Sequence, residues 1–158
     1  MNKPFMILAA LAMLASACSV SKAARGQRNL LSGTWILNDI SYENSSGNFQ
    51  SVLFNDAKDI CFEGSDWFFR DNNSTGRYTI APSSLCNGGD RYIRWSVIDG
   101  SPNQLQFKLI DEKNKDISGG LGYRLNISSL TANEMTLRSN STVGDDRVTI
   151  VYQFTKKQ

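Results

Sequence analysis

Histidine is missing from all 158 residues of the chain. Without it, the sequence has no Ser-His-Asp or Cys-His catalytic centre and no histidine-ligated zinc site. The 3 cysteines are too few for a four-cysteine zinc site. The sequence also has no calcium-binding loop, nucleophile elbow or phosphate-binding glycine loop. These absences predict that the protein is not an enzyme and holds no metal ion or other cofactor.

A strong excess of either charge is missing as well. The chain has 17 Lys and Arg residues against 15 Asp and Glu residues, a formal net charge of +2. Like charges form no long block. Because nucleic-acid-binding proteins need a basic patch for the phosphates, we expect no nucleic acid partner.

The N-terminal apolar run, residues 5–14, is too short to cross a bilayer, which takes about 20 residues. A positive start at Lys3, this run and the small residues before Cys18 are typical of a bacterial export signal. The small residues resemble a lipobox, in which the cysteine is lipidated and becomes the new N-terminus. Ala15 and Ala17 also fit ordinary signal peptidase.

Cysteine parity favours the lipobox. If Cys18 carries a lipid, Cys61 and Cys86 remain as an even pair in an oxidising compartment, and we predict a structural disulfide between them. Lipidation would attach the protein to a membrane of the cell envelope. Ser19 after the cysteine would favour the outer membrane in the enterobacterial sorting scheme.

From Gly33 onward, apolar residues recur with a period of two. Ile93, Trp95 and Val97, for example, alternate with polar residues. About eight such short runs, joined mostly by hairpin-length turns, predict an all-β fold with one apolar face.

Consecutive antiparallel strands favour an eight-stranded up-and-down barrel, because closure removes exposed edges. A β-sandwich is the alternative, and residues 43–66 are the only candidate for the long connection that it needs. Within them, residues 49–60 alternate poorly and predict a short helix or capping segment. We therefore predict a signal peptide over residues 1–17, a flexible lipidated tether over residues 18–29 and a monomeric barrel domain over residues 30–158.

Two motifs resemble a known family. Leu31-x-Gly33-Thr34-Trp35 is similar to the Gly-x-Trp motif that opens the first strand of lipocalins. Cys61-Phe62-Glu63-Gly64-Ser65-x-Trp67 resembles the lipocalin-like lipoproteins of Bacteroidetes. The resemblance covers residues 30–156.

The resemblance implies a lipocalin-like barrel whose closed end is built from Gly33 and Trp35. It also implies that an arginine from the last strands packs over the indole, and Arg138 and Arg147 are both candidates.

Seven aromatic residues fall on the predicted inner face, and they have two interpretations. They form either the wall of an apolar ligand cavity or the packed core of a filled barrel. The first interpretation predicts a membrane-anchored protein that binds a small hydrophobic molecule, and the second a structural or protein-interaction module. The candidates are Trp67, Phe69, Tyr78, Trp95, Phe107, Tyr123 and Tyr152.

Overall fold

A computed structural model describes residues 20–44, 50–143 and 146–158 of the protein. These described residues form one α-helix, a single-turn 3-10 helix over Asp59–Cys61 and ten strands. Within these residues, no helix has the length and apolar character needed to cross a membrane. The elements are α1 (Lys22–Leu31), β1 (Gly33–Glu43), β2 (Val52–Leu53), β3 (Ala57–Lys58), β4 (Asp66–Arg70), β5 (Thr75–Ile80), β6 (Gly89–Ile98), β7 (Gln104–Ile110), β8 (Tyr123–Leu130), β9 (Glu134–Val143) and β10 (Asp146–Lys156).

Eight of the strands close into one antiparallel barrel in the order β1-β10-β9-β8-β7-β6-β5-β4. Closure is made by β4, which pairs back with β1 so that Trp67 lies opposite Trp35. The prediction of an eight-stranded up-and-down barrel is therefore confirmed. The sandwich alternative is wrong, because the connection between β1 and β4 carries the separate β2–β3 hairpin and no Greek-key crossover.

The alternating pattern builds the core because paired residues on neighbouring strands share a face. Trp95 on β6 lies opposite Phe107 on β7, which lies opposite Tyr123 on β8. All three point inward, and Trp95 and Phe107 are almost fully buried. An eight-stranded barrel is just wide enough for such side chains to fill it.

Trp35 plugs one end of the barrel, which we call the closed end. Its side chain is fully buried, and the indole N–H donates to the Leu31 carbonyl over 2.8 Å. The turn into β1 needs Gly33, whose φ is +116°. A Cβ on Gly33 would also lie only 3.1 Å from Cε of Lys156.

The cation over Trp35 is Lys156, whose Nζ lies 5.0 Å from the ring centroid. The prediction that Arg138 takes this place is wrong. Arg138 occupies an outward-facing position on β9, and its Nη2 donates to Oε1 of Glu43 over 3.0 Å. Arg147 is exposed and lies near the other end of β10. Lys156 reaches the ring because it pairs directly with Trp35 in the β1–β10 register.

The prediction of a flexible tether is wrong for its second half, where residues 22–29 belong to helix α1. This helix packs on the closed end through Ala24, which is fully buried, and through Arg28. The Arg28 guanidinium lies 4.6 Å from the Trp95 ring centroid. The segment is mostly polar in sequence because its few buried groups include the stem of a long charged side chain.

The N-terminal approach to α1 is fixed to the barrel. The backbone N–H of Ser21 donates to Oδ2 of Asp99, in the turn after β6, over 3.1 Å. The predicted signal peptide, residues 1–17, and the predicted lipidation site Cys18 lie outside the described residues.

The predicted disulfide is present. Cys61 and Cys86 are joined, with 5.5 Å between their Cα atoms and a sequence separation of 25 residues. Closing a loop of this length stabilises the fold by roughly 3 kcal/mol. The bond attaches the segment after β3 to the loop before β6.

Candidate ligand-binding site

The seven predicted aromatic side chains all point into the barrel, but they lie at two levels. Phe69 and Trp95 are at the closed end, with ring centroids 5.3 Å apart, and Arg28 of helix α1 lies over the Trp95 ring. The Trp95 indole N–H is bound to the Thr75 carbonyl over 2.9 Å. We therefore exclude these two from the candidate site. We call the other five the mouth residues: Trp67, Tyr78, Phe107, Tyr123 and Tyr152.

Another ring fills the space between the mouth residues. It belongs to Phe54, in the turn between β2 and β3, and this side chain is only 7% exposed. Its centroid lies 5.0 Å from that of Phe107, 5.2 Å from Tyr123 and 5.9 Å from Trp67. It stacks on Tyr152 with an interplanar angle of 24°. We call residues 52–58 the plug hairpin, because they place this ring inside the barrel.

The plug hairpin has an unfavourable backbone conformation at its tip. Phe54 and Asn55 have φ angles of +54° and +51°, and the Asp56 N–H donates to the Leu53 carbonyl over 3.0 Å. Two consecutive left-handed residues define a type I′ turn, in which Asn is common. A phenylalanine in this conformation costs about 1–2 kcal/mol. The packing of its ring offsets that cost.

Polar contacts hold the tip on both sides. Asp56 accepts from the Tyr78 hydroxyl over 2.9 Å and from Nε of Arg91 over 2.9 Å. The Tyr123 hydroxyl donates to the Phe54 carbonyl over 2.6 Å. Each such bond contributes a net ~0.5–1.5 kcal/mol, and somewhat more where a charge takes part. A few contacts of moderate strength therefore keep the plug in place.

The base of the hairpin is held separately from its tip. Asp59 is buried and accepts from the Tyr42 hydroxyl and from the Ser51 N–H. Cys61 follows in the same single-turn helix and carries the disulfide to Cys86. The base is therefore fixed to the barrel by contacts other than those that hold the tip.

The tyrosines at the mouth stay protonated at neutral pH. Burial raises the pKa of Tyr78, and the nearby Asp56 carboxylate raises it further. Burial raises the pKa of Tyr152 to about 12 and also raises that of Tyr123. All three phenols are therefore hydrogen-bond donors that face the barrel mouth.

A cleft of about 330 Å³ runs beside the plug hairpin toward these rings. Its lining includes Phe54, Tyr123, Tyr152 and Ser139. Ser139 lies on β9 and is hydrogen-bonded to the Tyr152 hydroxyl over 3.0 Å. The volume is at the lower end of the range typical of small-molecule pockets. The cleft therefore borders the ring that fills the mouth.

The family model described as Lipocalin-like domain matches residues 31–137, more than half of the chain. The chain belongs to the lipocalin-like domain family. The match runs from the last residue of α1 into β9, and so includes the plug hairpin and four of the five mouth residues. No curated protein matches this lipocalin-like chain.

Solved structures that resemble the lipocalin-like barrel include bovine odorant-binding protein in several forms. Its complex with a selenium-containing odorant is 10% identical, with a TM-score of 0.43, over 90% of this chain and 77% of that one. A deswapped triple mutant is 12% identical, with a TM-score of 0.43, over 81% and 74% of the two chains. The complex with undecanal is 11% identical, with a TM-score of 0.38, over 90% and 78%. These are distant similarities, and the fold assignment rests on the strand pairing.

Two residues at the mouth of the lipocalin-like barrel, Phe54 and Arg91, are not among the candidates predicted from the sequence. Phe54 lies in residues 49–60, where the structure has a β-hairpin and a 3-10 turn; of the two predicted alternatives the short helix is wrong, and the hairpin corresponds to a capping segment. Arg91 stands two residues before Ile93, in the same inward-facing alternation on β6. The period-two pattern could have identified Arg91. No local signal shows that Phe54 enters the barrel.

Proposed function

We propose that this protein binds a small apolar molecule in the mouth of its barrel, in the space that the Phe54 ring fills in this structure. The observation that carries this proposal is the insertion of Phe54 itself. A ring on a hairpin, held in a costly backbone conformation, packs among the rings of the mouth residues. A ligand in the same place would make the same contacts and would let the turn relax.

The free energy that holds Phe54 in the mouth is small enough for a ligand to replace the ring. Burying a phenylalanine side chain stabilises the closed mouth by about 1.5–3 kcal/mol, and the tip's hydrogen bonds add to this. Two terms favour the ligand-bound state instead: the burial of the ligand's own apolar surface, and the release of Phe54 from its left-handed backbone conformation. Each 1.4 kcal/mol of closing free energy lowers the apparent affinity tenfold. We therefore expect the protein to favour ligands that fill the mouth well.

A filled barrel that acts as a structural or interaction module is the second candidate. The observation that favours it is the same inserted ring, together with the disulfide at Cys61 that fastens the hairpin's base. If the tip never leaves the mouth, the interior is a packed core and any function lies in the outer loops.

Titration with N-phenyl-1-naphthylamine, a neutral apolar fluorophore, separates the two candidates. Ligand binding predicts saturable uptake of one dye per chain. Ser139→Phe narrows the cleft and should weaken uptake at least tenfold, whereas Thr136→Phe, on the outward face of the same strand, should leave it unchanged. Absence of saturable uptake by both the wild type and Phe54→Ala would establish the filled barrel.

We also propose that Cys18 carries a lipid and that the protein is an envelope lipoprotein, held as a monomer at the outer membrane. The lipobox-like residues before Cys18 support the anchor. Ser21 is fixed to Asp99 at the closed end, so the three-residue step from Cys18 spans at most about 10 Å. The closed end would therefore face the membrane and the mouth would point away from it.

Labelling with radioactive palmitate in a bacterial host tests the anchor. We expect label and detergent-phase partitioning in the wild type, and neither in Cys18→Ala. Density-gradient separation of the membranes then tests the outer-membrane location, and light scattering of the detergent-solubilised protein tests the monomer. An unlabelled wild-type protein in the aqueous phase would contradict the anchor.

A further inference from the structure

We infer that the molecule bound in the mouth is an apolar acid, whose anionic group is received by Arg91 and Tyr78. This inference rests on the proposed function and adds the chemical class of the ligand. It follows from the part of the plug hairpin next to Phe54, where Asp56 places a carboxylate against an arginine that faces the barrel interior.

Arg91 is an inward-facing cation at the rim of an aromatic barrel. Trp67, Tyr78 and Arg91 form one cross-strand row through β4, β5 and β6, so their side chains share the inner face. The Arg91 side chain is only 18% exposed. A charge this far removed from water needs a partner.

The Arg91 guanidinium is positioned without help from the hairpin. Its Nη1 donates to the Gly89 carbonyl over 2.9 Å, and its Nη2 donates to the Asn87 carbonyl over 2.8 Å. Both acceptors lie in the approach to β6, or at its start. When the plug hairpin leaves, these two bonds keep the guanidinium where it is.

Asp56 supplies the negative charge at this point in the closed protein. Its carboxylate accepts from Nε of Arg91 over 2.9 Å, from Nη2 over 3.3 Å and from the Tyr78 hydroxyl over 2.9 Å. The Tyr78 side chain is fully buried. The carboxylate thus joins a forked cation and a neutral phenol, and such charge-assisted bonds are stronger than neutral ones.

Phe54 and Asp56 flank one residue of the same tight turn, so the ring and the carboxylate must leave together. A neutral apolar ligand would replace the ring only. It would leave Nε of Arg91 and the Tyr78 hydroxyl without the acceptor that Asp56 provides, at the cost of unsatisfied buried donors. A ligand with an apolar body and a carboxylate replaces both groups. The hairpin tip is therefore a template for an aryl or alkyl carboxylic acid.

Two matched probe pairs test the class of ligand. The first is 8-anilinonaphthalene-1-sulfonate against neutral N-phenyl-1-naphthylamine, and the second is 4-phenylbutyrate against 4-phenylbutan-1-ol as competitors of the neutral dye. The variants are Arg91→Gln and, as a control, Arg94→Gln, which removes an outward-facing arginine from the same strand. Asp56→Asn keeps the shape of the tip but removes its charge.

In the wild type and Arg94→Gln, we expect the acid of each pair to bind better than its neutral partner. In Arg91→Gln the ratio of acid to neutral affinity should fall roughly 10- to 100-fold, even if a loosened hairpin raises both affinities. Asp56→Asn should raise the affinity for the acid, because it removes the competing carboxylate.

Three results would overturn the inference. Equal binding of acid and neutral probes in every variant would agree with the proposed function but refute the inference that the ligand is an acid. A loss of acid binding in Arg94→Gln as large as in Arg91→Gln would show that the anionic group does not bind specifically at Arg91 inside the barrel. No binding of any probe, in the wild type or in Asp56→Asn, would refute the proposed function as well.

Discussion

Replacing Phe54 with alanine tests the plug most simply. Truncation of a buried phenylalanine costs about 3–5 kcal/mol where the surroundings cannot adjust. The tip of a hairpin can adjust by moving into the space that the ring leaves. Alanine has the same unfavourable energy at the positive φ of this position as phenylalanine, so the substitution tests the ring and not the backbone. We therefore expect the free energy of unfolding to fall by about 2–4 kcal/mol. For a chain of this size the melting temperature should drop by roughly 5–15 °C.

The same substitution should improve ligand binding, because the ring no longer competes for the mouth. Its burial is worth about 1.5–3 kcal/mol, so the affinity for N-phenyl-1-naphthylamine should rise roughly 10- to 100-fold. Thermal unfolding and dye titration of the same samples provide both numbers. The control is Phe69→Ala, which truncates another buried phenylalanine, at the closed end.

Phe69→Ala should lose about 3–5 kcal/mol of stability and leave the dye affinity unchanged, because its ring does not occupy the mouth. A Phe54→Ala protein with the same melting temperature as the wild type would refute the burial of the ring. A destabilised Phe54→Ala protein with unchanged dye affinity would refute the competition between ring and ligand.

Three further changes test the frame around the mouth. Trp35→Ala should lower the free energy of unfolding by about 3–5 kcal/mol in urea titrations, and a fully stable variant would place the indole outside the core. Joint replacement of Cys61 and Cys86 by serine should lower the free energy of unfolding by roughly 3 kcal/mol. It should also make dye association faster in stopped-flow measurements, because the base of the hairpin is released. An unchanged association rate would show that the base does not limit the opening of the mouth. Burial raises the pKa of Tyr152 to about 12 from 10.0, so its contribution is complete below pH 10 and is lost between pH 10 and 12. Urea unfolding across that range should be less pH-dependent in Tyr152→Phe, and an equally steep fall would assign the alkaline loss to other groups.

Much of the barrel could be predicted because its strands alternate. The second half of the chain repeats one apolar face, and the closed pairing of β1 with β4 places that face inside. Helix α1 escaped notice because only Ala24 and Leu31 of its residues are buried, which is too few for a periodic signal.

The details at both ends depended on contacts between distant parts of the chain. The cation over Trp35 is decided by the register that sets Lys156 opposite it, across a strand pair whose register shifts between Leu37 and Asp39. Phe54 is buried because the hairpin folds back into the mouth, among side chains of strands far away in the sequence. Periodicity within one strand carries neither piece of information.

The most direct test of the account is the position of the Phe54 ring when ligand is bound, read from NMR cross-peaks. In the free protein, cross-peaks should join this ring to Tyr123 and Trp67, whose centroids lie 5.2 and 5.9 Å away. With saturating 4-phenylbutyrate, we predict that they disappear and that ligand cross-peaks to Tyr123 and Trp67 replace them. Phe54 cross-peaks that persist at saturation would contradict the account.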